Sequence, residues 1–150
     1  MKKAVLILIA AMTVAVFFTG CSDANVNKVK SGLMPNFKGL PTGQVFDNYK
    51  YFKSKTWKSL KTDDGRNVVE FNGVLELNES KKKAGIKNMT VLFQFLVLKD
   101  GSFVLAYIES QATDNAGKVE TTDLTGRAFS LLSEIFANTM LSVPEPGAGI

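Results

Sequence analysis

Two Asp-Gly turns, each between stretches of strand-forming residues, restrict the fold more than any other feature of the sequence. An Asp-Gly pair in this context is a strong signal for a β-hairpin. The turns are Asp64-Gly65 and Asp100-Gly101, and the stretches around them are residues 56–60, 68–78, 90–98 and 103–110. The sequence therefore predicts four antiparallel strands arranged as two hairpins.

The register of the first hairpin follows from its turn. A three-residue loop that ends in a left-handed Gly65 sets Trp57 opposite Phe71 and Lys58 opposite Glu70. A two-residue loop would shift the pairing by one residue and separate both pairs. Aromatic and opposite-charge pairs across strands each contribute about 0.2–1 kcal/mol, so the bulged three-residue turn is predicted.

Two stretches outside the hairpins predict helices. Apolar residues recur at helical spacing over 43–53, with Thr42 available as an N-cap, and again over 123–141. Residues 79–88 and 111–121 are polar and are interpreted as loops. Strands grouped between helices are typical of the α+β class, with a four-stranded antiparallel meander sheet flanked by a short N-terminal and a longer C-terminal helix.

The second hairpin is apolar on both faces, and Gln94 is the one polar residue within 91–98. If the helices cover one face only, the other exposes an apolar patch, and such patches mark binding sites. Burial of that face by the N-terminal segment, by a loop or by sheet curvature is the competing interpretation. The predicted interaction surface consists of Leu92, Leu96, Leu98, Val104 and Ile108.

The N-terminus has the pattern of a secretory leader. Lys2 and Lys3 precede an apolar stretch over 4–18, and Gly20 precedes Cys21, the one cysteine of the chain. A positive start, a short apolar core and a small residue before the cleavage point mark a signal peptide, here residues 1–20.

The end of the leader resembles the lipobox of bacterial lipoproteins, with phenylalanine at position 18 where leucine is usual. The resemblance implies that Cys21 carries a diacylglyceryl thioether and an acyl chain, and that the protein is anchored in the membrane of the cell envelope. By the same resemblance Ser22, in place of an aspartate after the cysteine, favours the outer membrane of a Gram-negative host; a Gram-positive host has one membrane. A secreted protein without lipid and an uncleaved anchor are the alternatives.

This interpretation divides the chain into four parts. Residues 1–20 are the leader, 21–36 the lipidated cysteine with a polar tether, 37–143 a single α+β domain and 144–150 a disordered tail. Fully extended, the tether could reach about 50 Å.

A second resemblance covers most of the mature chain. The segments at 30–33, 42–49, 55–58 and 65–71 look like a domain of uncharacterised bacterial secreted and membrane-tethered proteins. The resemblance supports a single domain and implies no activity.

Composition excludes several classes of chemistry. The chain has no histidine, which excludes histidine-based triads and histidine zinc sites, and lipidation would use the only thiol. Glu70, Glu76 and Glu109 lie on predicted strands and could pair as glycosidase carboxylates, but solvent-facing charges are the favoured interpretation. Removing the two leader lysines lowers the formal charge from +4 to +2, which argues against nucleic-acid binding.

The sequence thus predicts a lipid-anchored, non-catalytic lipoprotein of the cell envelope with no cofactor other than its lipid. It would bind an envelope protein or support an assembly. The alternatives are a periplasmic or surface carrier of a small apolar ligand, and an exclusion or enzyme-inhibitor lipoprotein. An exposed apolar patch favours the first, and a closed cavity favours the carrier.

Overall fold

The computed structural model describes residues 23–37 and 39–145, within which an antiparallel sheet packs against helices. The α+β class predicted from the sequence is confirmed. The helices are α1 (Ala24–Ser31), α2 (Thr42–Asn48), α3 (Glu79–Lys83) and α4 (Ala128–Phe136), the last preceded by a 3₁₀ turn at Thr125–Arg127. The strands are β1 (Phe52–Lys61), β2 (Asn67–Leu75), β3 (Ile86–Val97), β4 (Phe103–Asp114) and β5 (Val119–Asp123), and they lie in chain order across the sheet.

The register predicted for the β1–β2 hairpin is confirmed. Trp57 pairs with Phe71 and Lys58 with Glu70. Gly65 has φ +82°, and its amide donates to the carbonyl oxygen of Thr62 at 2.8 Å. The left-handed conformation of Gly65 therefore allows the bulged turn that fixes the register of the two strands.

The helices cover one face of the sheet. Their buried apolar side chains, among them Val29, Phe46 and Leu131, join a single core cluster with Phe71 and Phe93. The ring of Phe46 lies edge-on to Phe71 at 4.9 Å and to Phe93 at 5.1 Å between centroids. These rings pack between the sheet and α2. No helix of the described ranges has the length and apolar character needed to cross a bilayer.

The described sheet has five strands, and the prediction of four is wrong. Residues 111–121, interpreted as a loop, contain the end of β4 and most of β5, with Ser110 paired to Thr122 and Thr113 to Val119. β5 is an edge strand that is held by backbone hydrogen bonds and has no buried side chain. An apolar alternation, which is the sequence signal for a half-buried strand, is therefore missing there.

Most of the predicted tether is folded. Residues 24–31 form α1, Val29 is fully buried, and the Asp23 side chain caps the helix by accepting from the Asn25 amide at 3.0 Å. Ser59 of β1 also donates to Asp23. The described fold therefore includes α1, which lies within the predicted tether. The predicted leader 1–20, Cys21 and most of the predicted tail lie outside the described residues.

Both predicted helices are shorter than their apolar patterns. α2 ends at Asn48 because the chain turns into β1 at Phe52, and the Thr42 hydroxyl donates to the Gly32 carbonyl oxygen instead of capping the helix. α4 ends at Phe136, and Asn138 takes a positive φ of 54° directly after it. The predicted loop at 79–88 contains α3 and the start of β3.

A bulge in β4 changes the faces of its side chains. Phe95 pairs with Leu105, whereas the preceding Gln94 pairs with Tyr107, so Ala106 is an extra residue in β4. Residues on the two sides of such a bulge lose the simple alternation of faces. Val104 consequently stays on the face away from the helices, while Ile108 turns into the core and is fully buried.

Candidate functional site

The face of the sheet turned away from the helices, here called the open face, is the candidate site. Side chains alternate between faces along a strand, and paired residues of neighbouring strands share a face. On the described strands the open face contains Lys58, Val68, Glu70, Leu92, Gln94, Leu96, Val104, Tyr107, Glu109 and Asp123.

Four side chains of the open face are buried although they lie opposite the helical layer. Val68, Glu70, Gln94 and Glu109 are 2%, 7%, 4% and 6% exposed. The Lys58 side chain of the same face contacts one of them, Glu70. Buried carboxylates and amides require hydrogen-bond partners, so the partners of Glu70, Gln94 and Glu109 determine what this face can bind.

A polar row crosses the sheet through Lys58, Glu70 and Gln94, which are direct neighbours on β1, β2 and β3. The Lys58 ammonium lies 2.7 Å from Glu70 Oε2, and Gln94 Nε2 donates to Glu70 Oε1 at 2.7 Å. The lysine is exposed and the carboxylate is not, so the ion pair is half-buried. Both oxygens of Glu70 are therefore occupied by groups of the sheet itself.

The other half of the Gln94 amide has no such partner. Its Oε1 is buried and accepts no hydrogen bond from the described residues. A buried acceptor without a donor costs about 1–3 kcal/mol, and exchanging the two amide atoms would only set an oxygen against the Glu70 carboxylate. The polar row therefore lacks one hydrogen-bond donor, the one that would serve Gln94 Oε1.

A second polar group continues the row on β4. The Tyr107 hydroxyl donates to Glu109 Oε2 at 3.0 Å, and Gln111 Nε2 donates to Glu109 Oε1 at 3.0 Å. Burial, together with this bond to Glu109, raises the pKa of Tyr107 to about 12. The phenol is therefore protonated at neutral pH and acts as a hydrogen-bond donor.

Two acidic residues face each other at the end of the row. Glu109 of β4 pairs directly with Asp123 of β5. Like charges directly opposite each other on two strands are destabilising. None of the ion pairs within residues 23–37 and 39–145 involves either carboxylate.

Apolar side chains frame the row, as the sequence predicts in part. Leu92 and Leu96 are half-buried on the open face, and Val104 is 40% exposed there. Leu98 follows β3 and is exposed, whereas Ile108 lies in the core, so its assignment to the surface is wrong. A shallow cavity of about 270 Å³ at the β1 side of the row is lined by Thr56, Lys58, Glu70, Asn72, Val74 and Thr90.

The three glutamates that the sequence offered as possible glycosidase carboxylates, Glu70, Glu76 and Glu109, do not all lie within the strands of the sheet. Glu70 and Glu109 lie on the open face, but Glu76 follows β2 and its amide bonds to Tyr51. Cys21, the predicted lipid attachment point, lies outside the described residues. Sequence reasoning missed Tyr107 and Asp123, and the one available signal was Gln94, the polar interruption in an apolar strand.

Within the described part of the chain, no three acidic or sulfur side chains are placed to hold a metal ion together. No protein-family model, curated protein or solved structure matches the chain.

Proposed function

We propose that the chain is a non-catalytic, lipid-anchored module of the cell envelope that binds another protein through its open face. The observation that supports this most is a sheet face, opposite all the buried helical residues, that combines apolar side chains with a buried polar row. Protein interfaces combine an apolar centre with a limited number of well-placed polar groups.

The state of the carboxylates favours binding over catalysis. Glu70 is held by Lys58 and Gln94, and Glu109 is held by Tyr107 and Gln111. Hydrogen bonds of this kind fix both carboxylates within the sheet, whereas a general acid or base must be free to exchange a proton with a substrate.

The proposed anchor rests on the leader pattern and on Cys21. Stable membrane attachment needs two lipid chains or more, which a diacylglyceryl cysteine supplies. Labelling of cells with radioactive palmitate should mark the wild-type protein and leave Cys21→Ala unmarked. Equal labelling of the two proteins would refute the anchor.

In-cell photo-crosslinking tests the binding face. A photoreactive amino acid at position 96, in the middle of the open face, should give a discrete protein adduct under light. The matched control places the same amino acid at Gln44, which is exposed on the helical side of the domain. Adducts of equal yield at both positions, or none at position 96, would contradict binding through the open face.

A further inference from the structure

We propose that the open face receives a lysine or arginine side chain of the partner protein, whose charge lies between Glu109 and Asp123. This rests on the proposed function and specifies the chemistry of the partner. Two independent features of the face support it: a pair of carboxylates without a cation, and a buried amide oxygen without a donor, among the residues that the structure describes.

The first feature is the acidic pair. Glu109 is 6% exposed and faces Asp123 directly across β4 and β5, with no cation of the described residues paired to either. The basic side chain of the row, Lys58, is separated from Asp123 by three strands and is already bound to Glu70. A cation supplied from outside would turn a repulsive pair into two attractive contacts.

The second feature is the unpaired acceptor. Gln94 is 4% exposed and lies opposite Tyr107, two residues along β4 from Glu109. Its Oε1 has no donor among residues 23–37 and 39–145, and the Tyr107 hydroxyl is already directed to Glu109. An ammonium or guanidinium group carries several N–H donors, so one such group can serve the carboxylates and, with a small shift of Tyr107, the amide oxygen.

A basic side chain fits the face better than a metal ion does. The described acidic side chains do not converge as a group of three, which a bound metal would require. The Tyr107 ring beside Glu109 adds a surface on which a guanidinium can stack. Two neighbouring carboxylates suit an arginine side chain, whose guanidinium presents several N–H donors at once.

The apolar side chains of the open face indicate which residues flank the basic residue of the partner. Leu92 and Leu96 are half-buried on β3, and Val104 is exposed on β4 beside them. A partner that covers these side chains needs apolar residues next to its basic one. The partner segment is therefore a lysine or arginine flanked by apolar residues, presented at a protein surface.

The experiment uses the full chain in its own host, with the photoreactive amino acid at position 96. Asp123→Asn and Asp123→Lys are combined with it, because Asp123 is exposed and asparagine can still accept from the Thr125 amide. Both changes relieve the repulsion with Glu109, and Asp123→Asn also keeps the bond from the Thr125 amide, so the thermal stability of Asp123→Asn should hold or rise. The control is Asp63→Lys, the same charge change in the exposed β1–β2 turn.

We expect Asp123→Lys to lower the adduct yield roughly tenfold or more, Asp123→Asn to lower it less, and Asp63→Lys to leave it unchanged. Mass spectrometry should locate the crosslink within a few residues of a lysine or arginine of the partner. The inference of a basic partner residue is overturned by a protein adduct that persists in Asp123→Lys or that has no basic residue nearby, and open-face binding then still stands. A lipid adduct overturns the inference and means that the open face contacts the membrane instead of a protein. No adduct in the wild type overturns both proposals.

Discussion

The bulge at Ala106 determines which of two similar side chains of β4, Val104 or Ile108, is buried in the core. The effect of truncating each side chain can therefore be predicted. Ile108 is fully buried beside Phe93, whereas Val104 is 40% exposed on the open face. Truncating a buried isoleucine to alanine costs about 2–5 kcal/mol. We expect about 3 kcal/mol for Ile108→Ala, since the rigid ring of Phe93 beside it cannot easily close the cavity.

Val104→Ala provides the matched comparison. It removes a half-exposed side chain from an edge of the open face, and a change of this kind stays below about 1 kcal/mol. Urea unfolding of the full chain in mild detergent would measure both, with the fluorescence of the single tryptophan, Trp57, as the probe. Trp57 packs on Phe71 at 4.8 Å between ring centroids, so its emission reports the core.

The result that would refute the reasoning is a loss of stability that is equal in the two variants or larger in Val104→Ala. Either outcome would mean that β4 alternates without a bulge and that Ile108 lies beside Val104. The slope of the unfolding free energy against urea should stay the same in both variants, because neither changes the surface exposed on unfolding by much.

Three further predictions concern single positions. Gly73→Ala should cost about 1–3 kcal/mol by urea unfolding, because a Cβ there would lie 2.5 Å from the Phe52 ring, while Gly126→Ala, with open space around it, should stay within about 0.5 kcal/mol. Tyr107 has a raised pKa, so its share of stability is present below pH 10 and is lost as the pH rises towards 12; Tyr107→Phe should flatten the unfolding free energy over this range. Gln94→Leu should cost about 1–3 kcal/mol by urea unfolding, since removing the unpaired acceptor offsets only part of the loss of the donor to the buried Glu70 Oε1, and a gain in stability would contradict this account.

The hairpin register could be predicted because its causes are local. Asp64-Gly65 determines the turn, and the turn determines that Trp57 meets Phe71. The apolar patch was predicted only in part, since both faces of β3 and β4 are apolar and the pattern of residues does not show where a bulge falls. Ile108 was therefore assigned to the wrong face.

The polar half of the site could not be predicted for a different reason. Asp123 comes to the open face only because β5 pairs with β4, and β5 has no buried side chain that would mark it as a strand. α1 was missed because its stability comes from contacts made elsewhere in the fold, namely burial of Val29 and the bond from Ser59 to Asp23. Short polar helices have little stability of their own in water.

The folding of α1 so close to Cys21 has a consequence for where a protein with the proposed lipid anchor can act. Two residue steps separate Asp23 from Cys21 and span at most about 7 Å, against about 50 Å for the predicted tether. With lipid on Cys21, the domain diffuses in two dimensions and stays within roughly 40 Å of the bilayer. Confinement to a thin layer raises the effective concentration of any partner held in the same membrane. An open-face contact that is weak in solution would then be sufficient, and a partner segment deeper in the envelope would be out of reach.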